Sequence, residues 1–137
     1  MSAIDQLFSQ LRNEHRKALM PFVTAGDPDL QFTADVLQEV VARGCHLCEV
    51  GIPYSDPIAD GPVIQASYTR ALAHKIKLAD ILDTLGNVAP KVNAPLVTMV
   101  SYAIVYRHGL AQYVDDAQRS GAAGAIVPDL PVEEAES

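Results

Sequence analysis

A single glutamate, Glu49, sits inside an otherwise apolar segment, His46-Leu47-Cys48-Glu49-Val50-Gly51-Ile52. If the segment is a strand, alternation places Leu47, Glu49 and Gly51 on one face. A carboxyl held among apolar groups is desolvated, and its pKa rises toward the range useful for proton transfer at neutral pH. A buried glutamate paired with a distant Lys or Arg fits the same spacing equally well. The next eleven residues, Pro53-Tyr54-Ser55-Asp56-Pro57-Ile58-Ala59-Asp60-Gly61-Pro62-Val63, carry two more carboxylates on a proline-bounded loop. Asp60 stands before Gly61-Pro62, where it reads first as a helix cap. Asp56 before Pro57 reads first as a turn former. Asp27 and Asp29 flank Pro28 and are expected to form a turn and cap the next helix. Tyr102 and Asp129 stand where two further apolar segments end.

Two cysteines, Cys45 and Cys48, form a Cys-His-Leu-Cys pair. A structural zinc site takes about four ligands, normally two such pairs. No second pair exists, and His15, His74 and His108 show no ligand spacing. The pair is expected to be two small, buried, reduced thiols beside a strand, with His46 turned toward packing or solvent. No metal site is expected. Dinucleotide and P-loop glycine patterns are absent, as is a nucleophile elbow.

These residues need elements to hold them. Apolar spacing in Asp5–Arg16 fits an amphipathic first helix. Ala18–Thr24 reads as a buried strand closed by the Ala25-Gly26-Asp27-Pro28 turn. Leu30–Arg43 is a helix stopped by Gly44. After the strand containing Glu49, Pro62 suits the first turn of a helix running to about His74. A further helix covers Leu78–Val88. Ala94–Ser101 is a third strand, a helix runs from about Tyr106 to Ser120 and is closed by Gly121, and Gly124–Val127 is a fourth strand. Val132–Glu136 opens one more helix, with acids suited to its N-terminus. The strands, near 19–24, 46–51, 95–101 and 124–127, are continuous apolar runs. Such strands belong to a parallel sheet buried on both faces. The fold class is α/β, and residues 1–137 read as one domain. It comprises an N-terminal helix and about the first four βα units of a TIM (β/α)8 barrel, which takes ~250 residues when complete.

The chain has 137 residues, 49% of them hydrophobic, and a net charge of −7. That composition is globular. The acidic balance disfavours nucleic acid and anionic membranes as partners. No apolar run approaches the ~18 residues of a membrane span, and the N-terminus lacks a signal-peptide pattern. A cytoplasmic location is the expectation.

Three stretches resemble the tryptophan synthase alpha chain family. They are Leu19-Met20-Pro21-Phe22-Val23-Thr24-Ala25-Gly26-Asp27-Pro28, the long Cys48–Gln65 segment, and Val127-Pro128-Asp129-Leu130-Pro131-Val132-Glu133-Glu134. The resemblance covers the whole chain but only about the first half of the family's barrel. It implies a lyase that splits indole-3-glycerol phosphate into indole and glyceraldehyde 3-phosphate by a retro-aldol reaction, in tryptophan biosynthesis. Carried over, Glu49 is the acid–base group and Asp60 the acceptor of the indole N–H. Phe22, Val100, Tyr102 and Ile126 match the walls of the indole pocket. The loop from Pro53 to Asp60 is mobile and catalytic in the family, and Pro53, Asp56 and Pro57 match its partner-facing positions. The partner implied is a beta chain in an alpha2beta2 heterotetramer. Pyridoxal phosphate belongs to that beta chain, and no cofactor is expected in this one. Two departures stand out. Ile104-Val105 follows Tyr102-Ala103 where the family usually has Asn-Pro, which bears on partner docking. The phosphate-holding loops after strands seven and eight lie outside the matched half, so this chain alone is expected to be inactive. The alternative is a non-catalytic half-barrel that binds a beta-type partner or itself.

Overall fold

A computed structural model describes residues 1–135. Helices and strands alternate: α1 (Ala3–Asn13), β1 (Phe22–Thr24), α2 (Leu30–Ala42), β2 (Cys48–Gly51), α3 (Pro62–Ala73), α4 (Leu78–Val88), β3 (Leu96–Met99), α5 (Tyr102–His108), α6 (Leu110–Arg119) and β4 (Ala122–Ile126). The four strands form one parallel sheet in the order β1-β2-β3-β4. Each strand therefore lies beside its sequence neighbour, with helices making the crossovers.

The helices start where local chemistry allows. Ser2 caps α1 in a reciprocal box with Asp5, each satisfying the other's backbone N–H. Asp29 caps α2 by accepting the Phe32 N–H at 2.7 Å. α3 begins at Pro62, a residue whose fixed φ and missing N–H cost nothing there. α2 ends before Gly44, whose φ of +98° suits a residue without a Cβ.

Strand register sorts the side chains onto two faces. Cys48 and Val50 on β2 share one face with Leu96 and Thr98 on β3, and all four are essentially fully buried. Cys48, Val50 and Leu96 pack with Leu37 of α2 and with Ile81, Leu85 and Val88 of α4 in the main core. On the same face the Thr98 and Tyr113 hydroxyls are bonded at 2.8 Å, which satisfies both in the interior. The other face carries two rows across the sheet: Phe22-Glu49-Val97-Gly124, and above it Thr24-Gly51-Met99-Ile126. Coverage there is partial. Phe22, Glu49 and Met99 are half-buried and Ile126 is exposed.

Strand and helix limits differ from the sequence expectation in several places. β1 starts at Phe22 rather than 19, because Pro21 has no N–H to give a ladder; only carbonyls of this stretch take part, with His46 N–H donating to the Leu19 oxygen and Glu49 N–H to that of Pro21. β2 and β3 are shorter than 46–51 and 95–101, and β4 begins at Ala122 rather than 124. The helix expected from about Tyr106 to Ser120 is two helices. Ser101 starts α5 by capping the Ala103 N–H, and Gly109, at φ +97°, turns the chain into α6. The helix expected to open at Val132 is a single 3-10 turn over Val132–Glu134, and Glu136 lies outside the described residues.

Candidate active site

The chemistry-bearing residues gather at the C-terminal ends of the strands, where parallel βα folds place ligand sites. β1 ends in Thr24 and the Ala25-Gly26-Asp27 turn. Ala25 N–H donates to the Gly51 oxygen at 3.0 Å, and the Thr33 hydroxyl accepts the Gly26 N–H at 2.9 Å. Helix α3 is fastened to this turn twice. The Thr24 and Ser67 hydroxyls are bonded at 2.6 Å, and Arg70 grips both carboxylate oxygens of Asp27 at 3.0 and 2.6 Å. Asp29 caps α2 as expected, while Asp27 serves α3 instead, and the Arg70 guanidinium holds its carboxyl below the usual range.

The loop after β2 runs from Ile52 to Gly61. Ile52 N–H donates to the Met99 oxygen at 2.8 Å, which seats the loop on β3. Gln65, one turn into α3, donates its side-chain amide to the carbonyls of Asp60 (2.7 Å) and Pro57 (3.3 Å). This bracket holds the loop backbone and leaves the Asp60 carboxylate out of the helix start, where Gly61 is the N-cap of α3. The helix-cap reading of Asp60 does not hold.

Asp60 lines a cleft with Tyr54, Asp56, Pro57, Tyr68, Val100, Ser101 and Asp129. Burial raises the Asp60 carboxyl above its ordinary range, and the negative charge of Asp129 raises it further. Burial also pulls Asp129 upward, but hydrogen bonds from the Ser101 hydroxyl (2.6 Å) and the Tyr102 N–H (2.8 Å) outweigh it, leaving Asp129 below the usual carboxylate range. The two carboxylates are thus pushed apart in proton affinity by their surroundings. The Tyr68 phenol is buried at the cleft, and its pKa is raised by burial and by the Asp60 charge.

The fold brings some of the expected residues together and leaves others apart. Asp56, Pro57, Asp60 and Val100 share the cleft. Pro53 lies in a neighbouring apolar cleft of about 400 Å³, which Ile104 also lines. Glu49 and Phe22 are register partners on the half-covered face of the sheet, outside both clefts, and Ile126 ends the upper row of that face. Tyr102 joins the rim through its backbone bond to Asp129, while its ring lies 6.1 Å from that of Tyr106.

Sequence reasoning missed Tyr68, Gln65 and the Asp27–Arg70 clamp. Tyr68 falls on a helical stripe where an aromatic reads as core. Its function as a lining group emerges only because Gly51 leaves room: a Cβ at Gly51 would stand 2.8 Å from the Tyr68 oxygen and 2.4 Å from the Phe22 ring. Arg70 and Asp27 are 43 positions apart, and nothing local in the sequence pairs them. Among the described residues no group of three His, Cys, Asp or Glu converges as a metal site. No helix among them is long and apolar enough to cross a membrane.

Comparison with known proteins places this arrangement. The family model described as "Tryptophan synthase alpha chain" matches residues 8–137. A tryptophan synthase alpha chain from Rhodopirellula baltica is 57% identical, over 99% of this chain and 50% of its own length. One from Rippkaea orientalis is 45% identical, over 100% and 51% respectively. The crystal structure of tryptophan synthase subunit alpha from Legionella pneumophila str. Paris superposes with a TM-score of 0.95 at 36% identity, over 99% of this chain and 52% of that one. A tryptophan synthase structure from M. tuberculosis gives 0.93 at 31%, over 99% and 55%. The chain spans about half the length of the curated relatives it matches. Its four βα units are the corresponding half of a TIM barrel. The chain belongs to the tryptophan synthase alpha chain family.

Proposed function

We propose that this chain carries the acid–base half of a carbon–carbon lyase site that cleaves indole-3-glycerol phosphate to indole and glyceraldehyde 3-phosphate. The observation that carries the reading is the Asp60 carboxylate in its cleft, above the open sheet face bearing Glu49. Glu49, as the acid, gives its proton to indole C3. The bond to the glyceryl side chain then breaks as the hydroxyl on the departing carbon loses its proton, leaving an aldehyde. Glu49, now a carboxylate, assists that second transfer. Asp60 accepts the indole N–H and stabilises the positive charge that develops on the ring. Phe22, Val100, Tyr102 and Ile126 wall the apolar ring. The reaction needs no cofactor in this chain. Pyridoxal phosphate belongs to a beta-type partner that takes up the indole, docked on the loop around Pro53, Asp56 and Pro57 in an alpha2beta2 assembly. A cytoplasmic location goes with this role.

Barrel phosphate sites are built from the loops after strands seven and eight, and the half matched by this chain stops short of them. The test is therefore complementation. The chain alone should release no indole from indole-3-glycerol phosphate. Mixed with the matching second half of the Rhodopirellula baltica relative, it should release indole, and Glu49→Gln or Asp60→Asn should abolish that release. Full activity of either variant in the complemented assembly would sink the assignment.

A second reading, a non-catalytic half-barrel, is favoured by the outer edges of β1 and β4, which have no strand partner among the described residues. Retention on an immobilised tryptophan synthase beta chain without any complemented activity would select it. Sedimentation as a dimer would point to a second copy at those edges.

A further inference from the structure

The proposed reaction makes no use of Cys45 and Cys48. Their sulfurs face each other at 3.3 Å, in the only region of the described chain where two thiols meet. Cys45 lies in the short connection after α2 and Cys48 opens β2. Cys45 also points its S–H at the Leu47 carbonyl, 3.2 Å away. A disulfide bond is ~2.05 Å long, so the sulfurs need to close by little more than 1 Å. The Cys45 N–H is held by the Val40 oxygen at 3.1 Å, so the closing motion falls to the Cys45 side chain and to the turn at Gly44 before it. Gly44 carries a φ of +98° and has open space around it, with nothing within 4 Å of a Cβ placed there. Cys48 is fixed, being fully buried and hydrogen-bonded through its N–H to the Pro95 oxygen at 3.1 Å.

We propose that Cys45 and Cys48 are a dithiol modification site, which hydrogen peroxide converts to an intramolecular disulfide. The two sulfurs have separate roles. Cys45 keeps 7% exposure and Cys48 none, so Cys45 meets the oxidant. Its thiolate attacks one peroxide oxygen, the O–O bond breaks, and the departing hydroxide takes a proton to leave as water. The product is a Cys45 sulfenic acid. The Cys48 sulfur then attacks the Cys45 sulfur, the S–O bond breaks, and the hydroxide leaves with the Cys48 proton as a second water. Two thiols are oxidised by two electrons and one peroxide is reduced to two waters. Burial and the neighbouring Cys45 push the Cys48 thiol up to about 12, which fits it for the second, contact-driven step rather than for the encounter. The bond would tie β2 one residue before Glu49 to the loop below it.

Trypsin cuts after Arg43 and Arg70, so both cysteines fall in one peptide, residues 44–70, which contains no methionine. The intact chain is held overnight in millimolar hydrogen peroxide, alkylated under denaturing conditions and digested. The expected peptide carries no alkyl group and lacks the mass of two hydrogens, and dithiothreitol restores both alkylation sites. In Cys48→Ser the reaction should stop at a Cys45 sulfenic acid that dimedone traps. Two alkylated cysteines, a Cys45 sulfinic acid beside an alkylated Cys48, or disulfides only between chains would each overturn the proposal. None of these readouts depends on lyase activity, so failure of the lyase assignment leaves this result interpretable on its own.

Discussion

The two faces of the sheet follow different rules. On the helix-packed face, Cys48, Val50, Leu96 and Thr98 alternate into the core and are essentially fully buried. On the opposite face, Glu49 stands between Phe22 and Val97 in a row that is only half covered, and the rim above it carries unequal carboxylates. One face stores the folding free energy and the other holds groups at a cost. A parallel sheet makes this division possible because strand alternation separates the two sets completely.

The sharpest test of that division is a pair of substitutions on opposite sides. Leu85 of α4 is fully buried against the packed face, and Leu85→Ala should cost ~2–5 kcal/mol by transfer and cavity terms together. Glu49→Gln keeps the shape of a half-buried side chain and should change stability by less than ~0.5 kcal/mol. Urea unfolding of both variants decides it. Equal losses would mean that Glu49 is a buried structural group and that the faces do not divide as described.

Gly51 lies on the half-covered face, where the Phe22 ring and Tyr68 already fill the space a side chain would need. A Cβ there would meet the Phe22 ring at 2.4 Å and the Tyr68 oxygen at 2.8 Å, both inside contact distance. Gly51→Ala should therefore cost ~1–3 kcal/mol through overpacking. It should also displace Tyr68, which a change in tyrosine near-ultraviolet circular dichroism would register. A stable variant with an unchanged spectrum would show that the Phe22 ring yields freely and that the rim is not tightly set.

Within the packed face, the Thr98–Tyr113 hydroxyl pair separates hydrogen bonding from packing. Tyr113→Phe leaves the buried Thr98 hydroxyl without its partner and should cost ~1–3 kcal/mol. Adding Thr98→Val removes the orphaned group and should recover much of that loss. A double variant no more stable than Tyr113→Phe would place the cost in lost packing.

The packed face was legible in the sequence because its signal is local. Apolar runs such as Leu96–Val100 and the Val36-Leu37-Val40 stripe on α2 announce a parallel sheet under helices. The limits were less legible, since Pro21 shortens β1 by removing a donor and Gly109 splits one helical pattern into two by its positive φ. Glu49 stood out as a charge in apolar company, and Asp60 through the family resemblance of its loop. Their supports did not. Gln65 acts on the backbone of the loop before it, and Arg70 reaches Asp27 across 43 positions, so both become visible only in three dimensions. Cys45 and Cys48 lie between these cases: burial could be read from the sequence, whereas the facing of the two sulfurs could not.

The smallest expected effect is a titration. Asp60 is raised by burial and then by the Asp129 charge, whereas hydrogen bonds hold Asp129 below its ordinary value. The signs for stability are opposite. Ionising Asp60 works against the folded state, a cost fully present above its raised folded pKa and gone below the unfolded value of ~3.9. Asp129 contributes stability above ~3.9 and loses it as the pH falls through its lowered folded pKa. Asp129→Asn removes the neighbouring charge but leaves the burial of Asp60 unchanged. The Asp60 carboxyl, followed by carbon-13 NMR, should therefore titrate at lower pH than in the parent chain while remaining above the ordinary aspartate range. A return all the way to the ordinary range would mean that charge, not burial, dominates the cleft. An unmoved Asp60 would mean that the two carboxylates do not sense each other, and the contrast between the packed face and the rim would then rest on burial alone.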